Sequence, residues 1–201
     1  MKTYRIHLIR HGITEGNEKG LYIGNRTDLP LSPAGKRELS DLRNNLEYPN
    51  VQKVYTSPLL RAKESAEILF PGFDAMPIDE ITEYDFGAFE GKTATELQET
   101  EEYLEWTSGK LEAPPGGETS TDFIKRVALG LNEIVRDMMS NGIRESAVIM
   151  HGGAIMMLLG ASAVPRKRSV EWTSEPGRGY SVMITPSLYH SSGIIEVYDY
   201  I

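Results

Sequence analysis

The stretch Leu8-Ile9-Arg10-His11-Gly12-Ile13-Thr14-Glu15-Gly16-Asn17 decides how this chain is read. It continues from Tyr4–Ile9, whose apolar residues mark a β-strand. An arginine and a histidine therefore stand side by side where a strand runs out into a glycine-bearing turn. A second histidine has the same setting far downstream, in Val148-Ile149-Met150-His151-Gly152-Gly153. In open α/β sheets ligands bind outside the carboxyl ends of the strands. Two strand-end histidines, one with arginine before it, point to a pocket for a phosphate ester.

Working outward, strand and helix signals alternate. Ser32-Pro33 starts a helix, serine as N-cap and proline at the first helical position, and predicts a helix to about Glu47. Val51–Thr56 reads as the second strand. Ser57-Pro58 repeats the helix-start signal and predicts a helix to about Phe70. Residues 81–117 read as irregular and rich in aromatics, closing with Pro114-Pro115-Gly116-Gly117. Thr119 opens the longest helix. Its Phe123, Val127, Leu131, Ile134 and Met138 form a one-sided stripe at helical spacing. Ala147–Met150 is a wholly apolar strand, as a central parallel strand should be. Ala154–Leu159 reads as a buried helix, with the Met156-Met157-Leu158-Leu159 run as core. Gly179–Ile184 and Ile194–Tyr200 read as the last strands. The alternation predicts an α/β fold, a three-layer sandwich with a mostly parallel central sheet flanked by helices. Residues 1–201 are read as a single domain with a lid-like excursion at about 81–118.

Composition narrows the function. The chain has 201 residues, 40% hydrophobic and 25% charged, which suits one well-packed globular domain. No apolar run approaches the ~20 residues of a membrane span. The charged start, Met1-Lys2-Thr3-Tyr4-Arg5, does not read as a secretion signal, so a cytoplasmic location is expected. There is no cysteine, hence no thiolate nucleophile and no thiolate metal site. The net charge of −8 argues against nucleic acid and acidic membranes as partners. An anionic ligand would need a local cation cluster, and Arg10, Arg61, His11 and His151 supply one. The four histidines lack the short paired spacing of a zinc site, and no metal or other cofactor is expected.

Phosphate ester chemistry needs a nucleophile, cations around the non-bridging oxygens, and an acid for the leaving oxygen. His11 is the candidate nucleophile. Arginine suits a two-pronged grip on phosphate better than lysine does, which singles out Arg10 and Arg61. His151 would hold the equatorial oxygens. Asn17 and the backbone N–H of Gly152 would add donors, the latter near a helix N-terminus. The acid is less distinct. Glu83, in Ile81-Thr82-Glu83-Tyr84-Asp85-Phe86-Gly87, sits among apolar neighbours that would raise a carboxyl pKa. Asp85 and Glu90 remain rivals on these grounds.

At this point the chain resembles the histidine phosphatase superfamily, the phosphoglycerate-mutase-like proteins. The residues that carry the resemblance are Leu8–Asn17, Thr27–Gly35, Tyr55–Ala62, Glu83–Gly91, Pro115–Thr119 and Val148–Gly153, over residues 4 to about 160. The resemblance implies a phosphoglycerate-mutase-like fold and an acid-type phosphatase of small phosphorylated metabolites that needs no metal. It implies that His11 is phosphorylated, that Arg10, Arg61 and His151 complete the phosphate pocket, and that Glu83 is the proton donor. The loop from Tyr22 to Thr27 borders the substrate region, which makes Ile23 and Gly24 candidate substrate contacts. A homodimer is compatible with it. A cofactor-dependent phosphoglycerate mutase and a non-catalytic phospholigand-binding module are the alternatives. Lys92–Glu118 is short and acidic, with Lys92 and Lys110 its only basic residues, which favours the phosphatase.

Overall fold

The computed structural model describes residues 2–46 and 48–201. Seven strands form one sheet: β1 (Tyr4–Arg10), β2 (Lys53–Thr56), β3 (Met76–Pro77), β4 (Glu145–Met150), β5 (Ala163–Val164), β6 (Gly179–Ile184) and β7 (Ile195–Tyr200). Their order is β3-β2-β4-β1-β6-β7-β5. Only β6 runs against the others, pairing antiparallel with β1 and β7. The helices are α1 (Glu15–Glu18), α2 (Pro33–Asn45), α3 (Leu60–Leu69), α4 (Ala94–Leu97), α5 (Glu101–Thr107), α6 (Ser120–Asn141), α7 (Gly152–Ser162) and α8 (Pro186–Ser192).

Strand periodicity creates the layers. Along β1, β2 and β4 successive side chains face opposite sides of the sheet. Ile9, Val54, Ala147 and Ile149 pack with Leu39 of α2 and with Ala62, Ala66 and Leu69 of α3. Ile6, Leu8, Tyr55, Val148 and Met150 pack with the stripe of α6 and with Ala154, Ile155, Leu158 and Leu159 of α7. The predicted stripe of α6 is buried at all five positions, joined by Gly130 and Val135. The expected α/β sandwich and its mostly parallel sheet are the observed architecture.

Two local readings need correction, and one is borne out. Ser32 caps α2 as expected, its hydroxyl accepting from the Gly35 N–H, and the helix ends at Asn45; the predicted end at Glu47 lies outside the described residues. Ser57 does not cap α3. That helix starts at Leu60, whose N–H donates to Asp28 Oδ1 at 2.7 Å, so the cap comes from a distant loop. The excursion is not wholly irregular. Thr93 and Glu96 form a reciprocal capping box that starts α4, and α5 follows.

The register places the site. Arg10 pairs with Met150, and the His11 N–H donates to the Met150 carbonyl at 3.0 Å. The Ser57 N–H donates to the Ile149 carbonyl at 2.9 Å. The carboxyl ends of β1, β2 and β4 are thus tied side by side.

Candidate active site

His11 sits at the centre of this edge and is 5% exposed. Its Nδ1 lies 2.6 Å from the carbonyl oxygen of Gly12. A carbonyl can only accept, so Nδ1 carries the proton and Nε2 keeps its lone pair. Burial and the charge of Arg61 push the imidazole pKa down to about 3, with Arg10 adding to the effect. His11 is therefore a neutral imidazole with a defined free nitrogen across the ordinary pH range.

His151 lies edge-on to His11, with ring centroids 5.1 Å apart, and is fully buried. Its Nε2 is 2.8 Å from the Ser57 hydroxyl. Its Nδ1 has no partner among the described residues. Burial foremost, then the charge of Arg61, holds its pKa well below the usual histidine range.

Two arginines flank the histidines. Arg61, 1% exposed, comes from the first turn of α3 and donates to the carbonyls of Thr27 and Gly24, both at 3.0 Å. These two bonds fix the plane of its guanidinium. Arg10 donates to the Ser174 carbonyl at 2.8 Å, while its buried Nε has no partner among the described residues. Buried polar atoms in native proteins nearly always have a partner. Orphaned nitrogens on Arg10 and His151, beside two guanidinium groups, mark a place made for an anion.

Glu83 is the one carboxylate lining the cavity among the described residues. Its Oε1 accepts the Tyr84 N–H at 2.9 Å and its Oε2 the Gly153 N–H at 3.0 Å. Burial raises its pKa above the ordinary carboxyl value, against the opposing pull of those amides and of Arg61 and Arg10. A Cβ on residue 153 would stand 2.4 Å from Glu83 Oε1, so only glycine lets the carboxylate reach that amide. The rivals are occupied elsewhere. Asp85 pairs with Arg26 at 2.8 Å, and Glu90 accepts from the Thr27 hydroxyl at 2.5 Å.

The cavity measures about 190 Å³ and is lined by Arg10, His11, Arg61 and Glu83 at its base. Asn17, Ile23, Gly152, Gly153, Met156 and Thr173 complete it. Asn17 Oδ1 is taken by the N–H and hydroxyl of Thr14, which leaves its Nδ2 to donate. Gly152 opens α7, at the positive end of the helix. Gly24, expected as a substrate contact, is not among the residues that line the cavity, and its carbonyl accepts from Arg61. His151 meets His11 edge-on and is not among the residues that line the cavity.

Several site residues escape a sequence reading. Ser57 carries the signal of a helix cap and serves His151 instead. Met156 belongs to a run that reads as core. Leu158 and Leu159 are core, but Met156 is half-buried against the cavity, one helical turn after Gly152. Thr173 and Ser174 follow a long loop with no recognisable motif. Gly153 alone has a legible signal, the doubled glycine after a strand-end histidine.

An α/β sheet with this set of groups at its strand ends defines a protein suited to phosphate esters. The chain belongs to the histidine phosphatase superfamily (branch 1), whose profile matches residues 6–174. A relative from Hydrogenobacter thermophilus, named provisionally phosphoserine phosphatase 2, is 30% identical over 156 residues, covering 75% of this chain and 74% of its own. The adenosylcobalamin/alpha-ribazole phosphatase of Salmonella typhimurium is 29% identical over 160 residues, covering 77% of each chain. The crystal structure of a phosphoglycerate mutase from Bacillus anthracis superposes with a TM-score of 0.76 at 19% identity, covering 98% of this chain and 92% of that one. The last likeness concerns the fold.

Proposed function

We propose that this protein hydrolyses phosphomonoesters of small metabolites through a phosphohistidine at His11, as an acid-type phosphatase. The observation that carries the reading is the polarity of His11: Nδ1–H is spent on the Gly12 carbonyl, so Nε2 is the nitrogen free to attack. Arg10, Arg61 and the unpartnered Nδ1 of His151 hold the non-bridging oxygens, over which the transition-state charge is spread. As the Nε2–phosphorus bond forms and the ester P–O bond breaks, Glu83 gives its proton to the leaving oxygen and becomes a carboxylate. In the second half, that carboxylate takes a proton from water, the water oxygen bonds to phosphorus, and the P–Nε2 bond breaks. Phosphate and free His11 result, with Glu83 protonated again.

The raised pKa of Glu83 supports the acid-type assignment. Turnover of poor leaving groups is full while Glu83 is protonated and falls as pH rises through its pKa. His11 sets the opposite limit only near pH 3, where it would protonate. The phosphatase reading is preferred over the mutase because Arg10 and Arg61 are the arginines lining the cavity among the described residues, and no lysine joins them. Release of inorganic phosphate from a panel of metabolite monoesters, with His11→Ala as control, tests the reading. Isomerisation of phosphoglycerate dependent on a bisphosphoglycerate primer would favour the mutase.

Among the described residues no helix is long and apolar enough to cross a membrane. We place the enzyme in the cytoplasm, to be checked by cell fractionation. A homodimer is the assembly proposed, to be checked by sedimentation.

A further inference from the structure

The segment that carries Glu83 has an unusual problem. Apart from the single 3-10 turn at Asp79–Ile81, residues 79–86 belong to no regular element, and among the described residues no strand pairs with them. Their carbonyls need partners from elsewhere, since buried backbone acceptors are rarely left unmet. One side chain supplies partners for three of them. Arg126, on the second turn of α6, donates through Nη1 to the Glu80 carbonyl (2.8 Å), the Thr82 carbonyl (3.2 Å) and the Thr82 hydroxyl (2.7 Å). Through Nη2 it donates to the carbonyl of Glu83 itself, at 3.2 Å.

The same guanidinium meets Glu118 with two bonds, Nη2 to Oε1 at 2.7 Å and Nε to Oε2 at 3.3 Å. Glu118 Oε1 in turn accepts the Asp85 N–H at 2.9 Å. Arg126 and Glu118 therefore hold the chain on both sides of Tyr84. The guanidinium also stacks over Phe123, at 5.2 Å from the ring centre, and Phe123 meets the Tyr84 ring at 5.1 Å. The planar fork of arginine matches this array of acceptors, and lysine's single ammonium does not. Arg126 is absent from the cavity lining, so it acts through Glu83 and not on substrate.

We propose that Arg126, clamped by Glu118, is a positioning residue for the proton donor: it fixes the backbone at Glu83 so that the carboxyl stands over the leaving-group oxygen. The inference rests on the reading of Glu83 as the acid. A misplacement of about 1 Å at a reacting group costs on the order of a hundredfold in rate. The Arg126 charge also bears on His151, but a change there would fall on every ester alike, so a loss confined to poor leaving groups is the mark of the acid.

The test compares an alkyl phosphate with p-nitrophenyl phosphate, whose leaving group needs little protonation. Arg126→Ala is expected to lower kcat on the alkyl ester about ten- to a hundredfold, and on p-nitrophenyl phosphate less than about threefold. Arg126→Lys, which keeps the charge but not the fork, should show the same selectivity to a lesser degree. Glu118→Gln should move in the same direction and serves if the arginine variants do not fold. In a Glu83→Gln background, Arg126→Lys should add no selective loss, since both changes act on one step. Equal losses on both esters, or fully additive selective losses, overturn the proposal. The Glu83→Gln single variant separates the failures. If it is selective and the Arg126 and Glu118 variants are not, Arg126 is merely structural. If it is unselective, the acid assignment falls and the role of Arg126 with it.

Discussion

The two halves of the proposed active site, one to hold phosphate and one to bear the acid, are built differently. The phosphate-holding half stands on the sheet: His11 and His151 follow adjacent parallel strands, and Arg61 rises from the helix after a third. The histidines directly follow a backbone ladder, and Arg61 stands in the first turn of a helix. The acid-bearing half stands on connecting chain. Glu83 lies in a stretch without strand partners, pinned by Arg126, by Glu118 and by a cluster of rings that includes Tyr22, Tyr84, Phe86 and Trp106. Arg26 ties the two loops over the site, pairing with Asp85 and donating to the Gly116 carbonyl. A phosphoryl group has the same shape in every substrate, so a rigid cradle suits it. The side that would meet the leaving alcohol is held by side chains distant in sequence instead of by a ladder.

This contrast can be broken by mutation. His11→Ala should lower kcat by more than about 10⁴ on every ester, because without the nitrogen there is no covalent intermediate. Stopped-flow phosphate release would show it, and activity within tenfold of the wild type would refute the nucleophile. Arg61→Ala should cost about 10³ in kcat/KM, again on all esters alike, as for a buried charge-assisted contact to transition-state charge. An unchanged kcat/KM would mean that this arginine does not touch the phosphate.

The acid half should respond selectively instead. Glu83→Gln should lower kcat about a hundredfold on alkyl phosphates and far less on p-nitrophenyl phosphate. The wild type should also lose activity on alkyl esters as pH rises through the elevated pKa of Glu83, and the variant should lack that limb. Equal losses on both esters would point to another acid. Smallest of all, Arg26→Ala removes an exposed pairing, and exposed ion pairs contribute little. It should change KM by roughly two- to fivefold, with kcat on p-nitrophenyl phosphate unaltered. A large fall in kcat there would mean that the loops and the sheet edge are not separable.

The same division explains what could be read from the amino acids alone. Strand-end residues announce themselves, because an apolar run stopping at Arg10-His11-Gly12 or at His151-Gly152 fixes both element and position. The buried stripe of α6 is legible for a similar reason, its period being that of a helix. The loop half is opaque, since its geometry is set by contacts distant in sequence. Asp28 caps α3 from a different segment, and Ser57, which carries the local signal of a cap, turns to His151. Arg126 reads as a polar position on an amphipathic helix, and nothing in its neighbours shows that Glu80, Thr82 and Glu83 will meet it. Gly24 reads as a substrate contact because it lies in a loop at the site, yet its carbonyl serves Arg61.

The most direct test mixes enzyme with a ³²P-labelled monoester and quenches within the first turnover. Peptide mapping then locates the label. The account predicts an acid-labile, base-stable phosphate on the peptide bearing His11, absent from the His11→Ala protein. Label on a different residue, or rapid turnover with no labelled enzyme at any quench time, would contradict it.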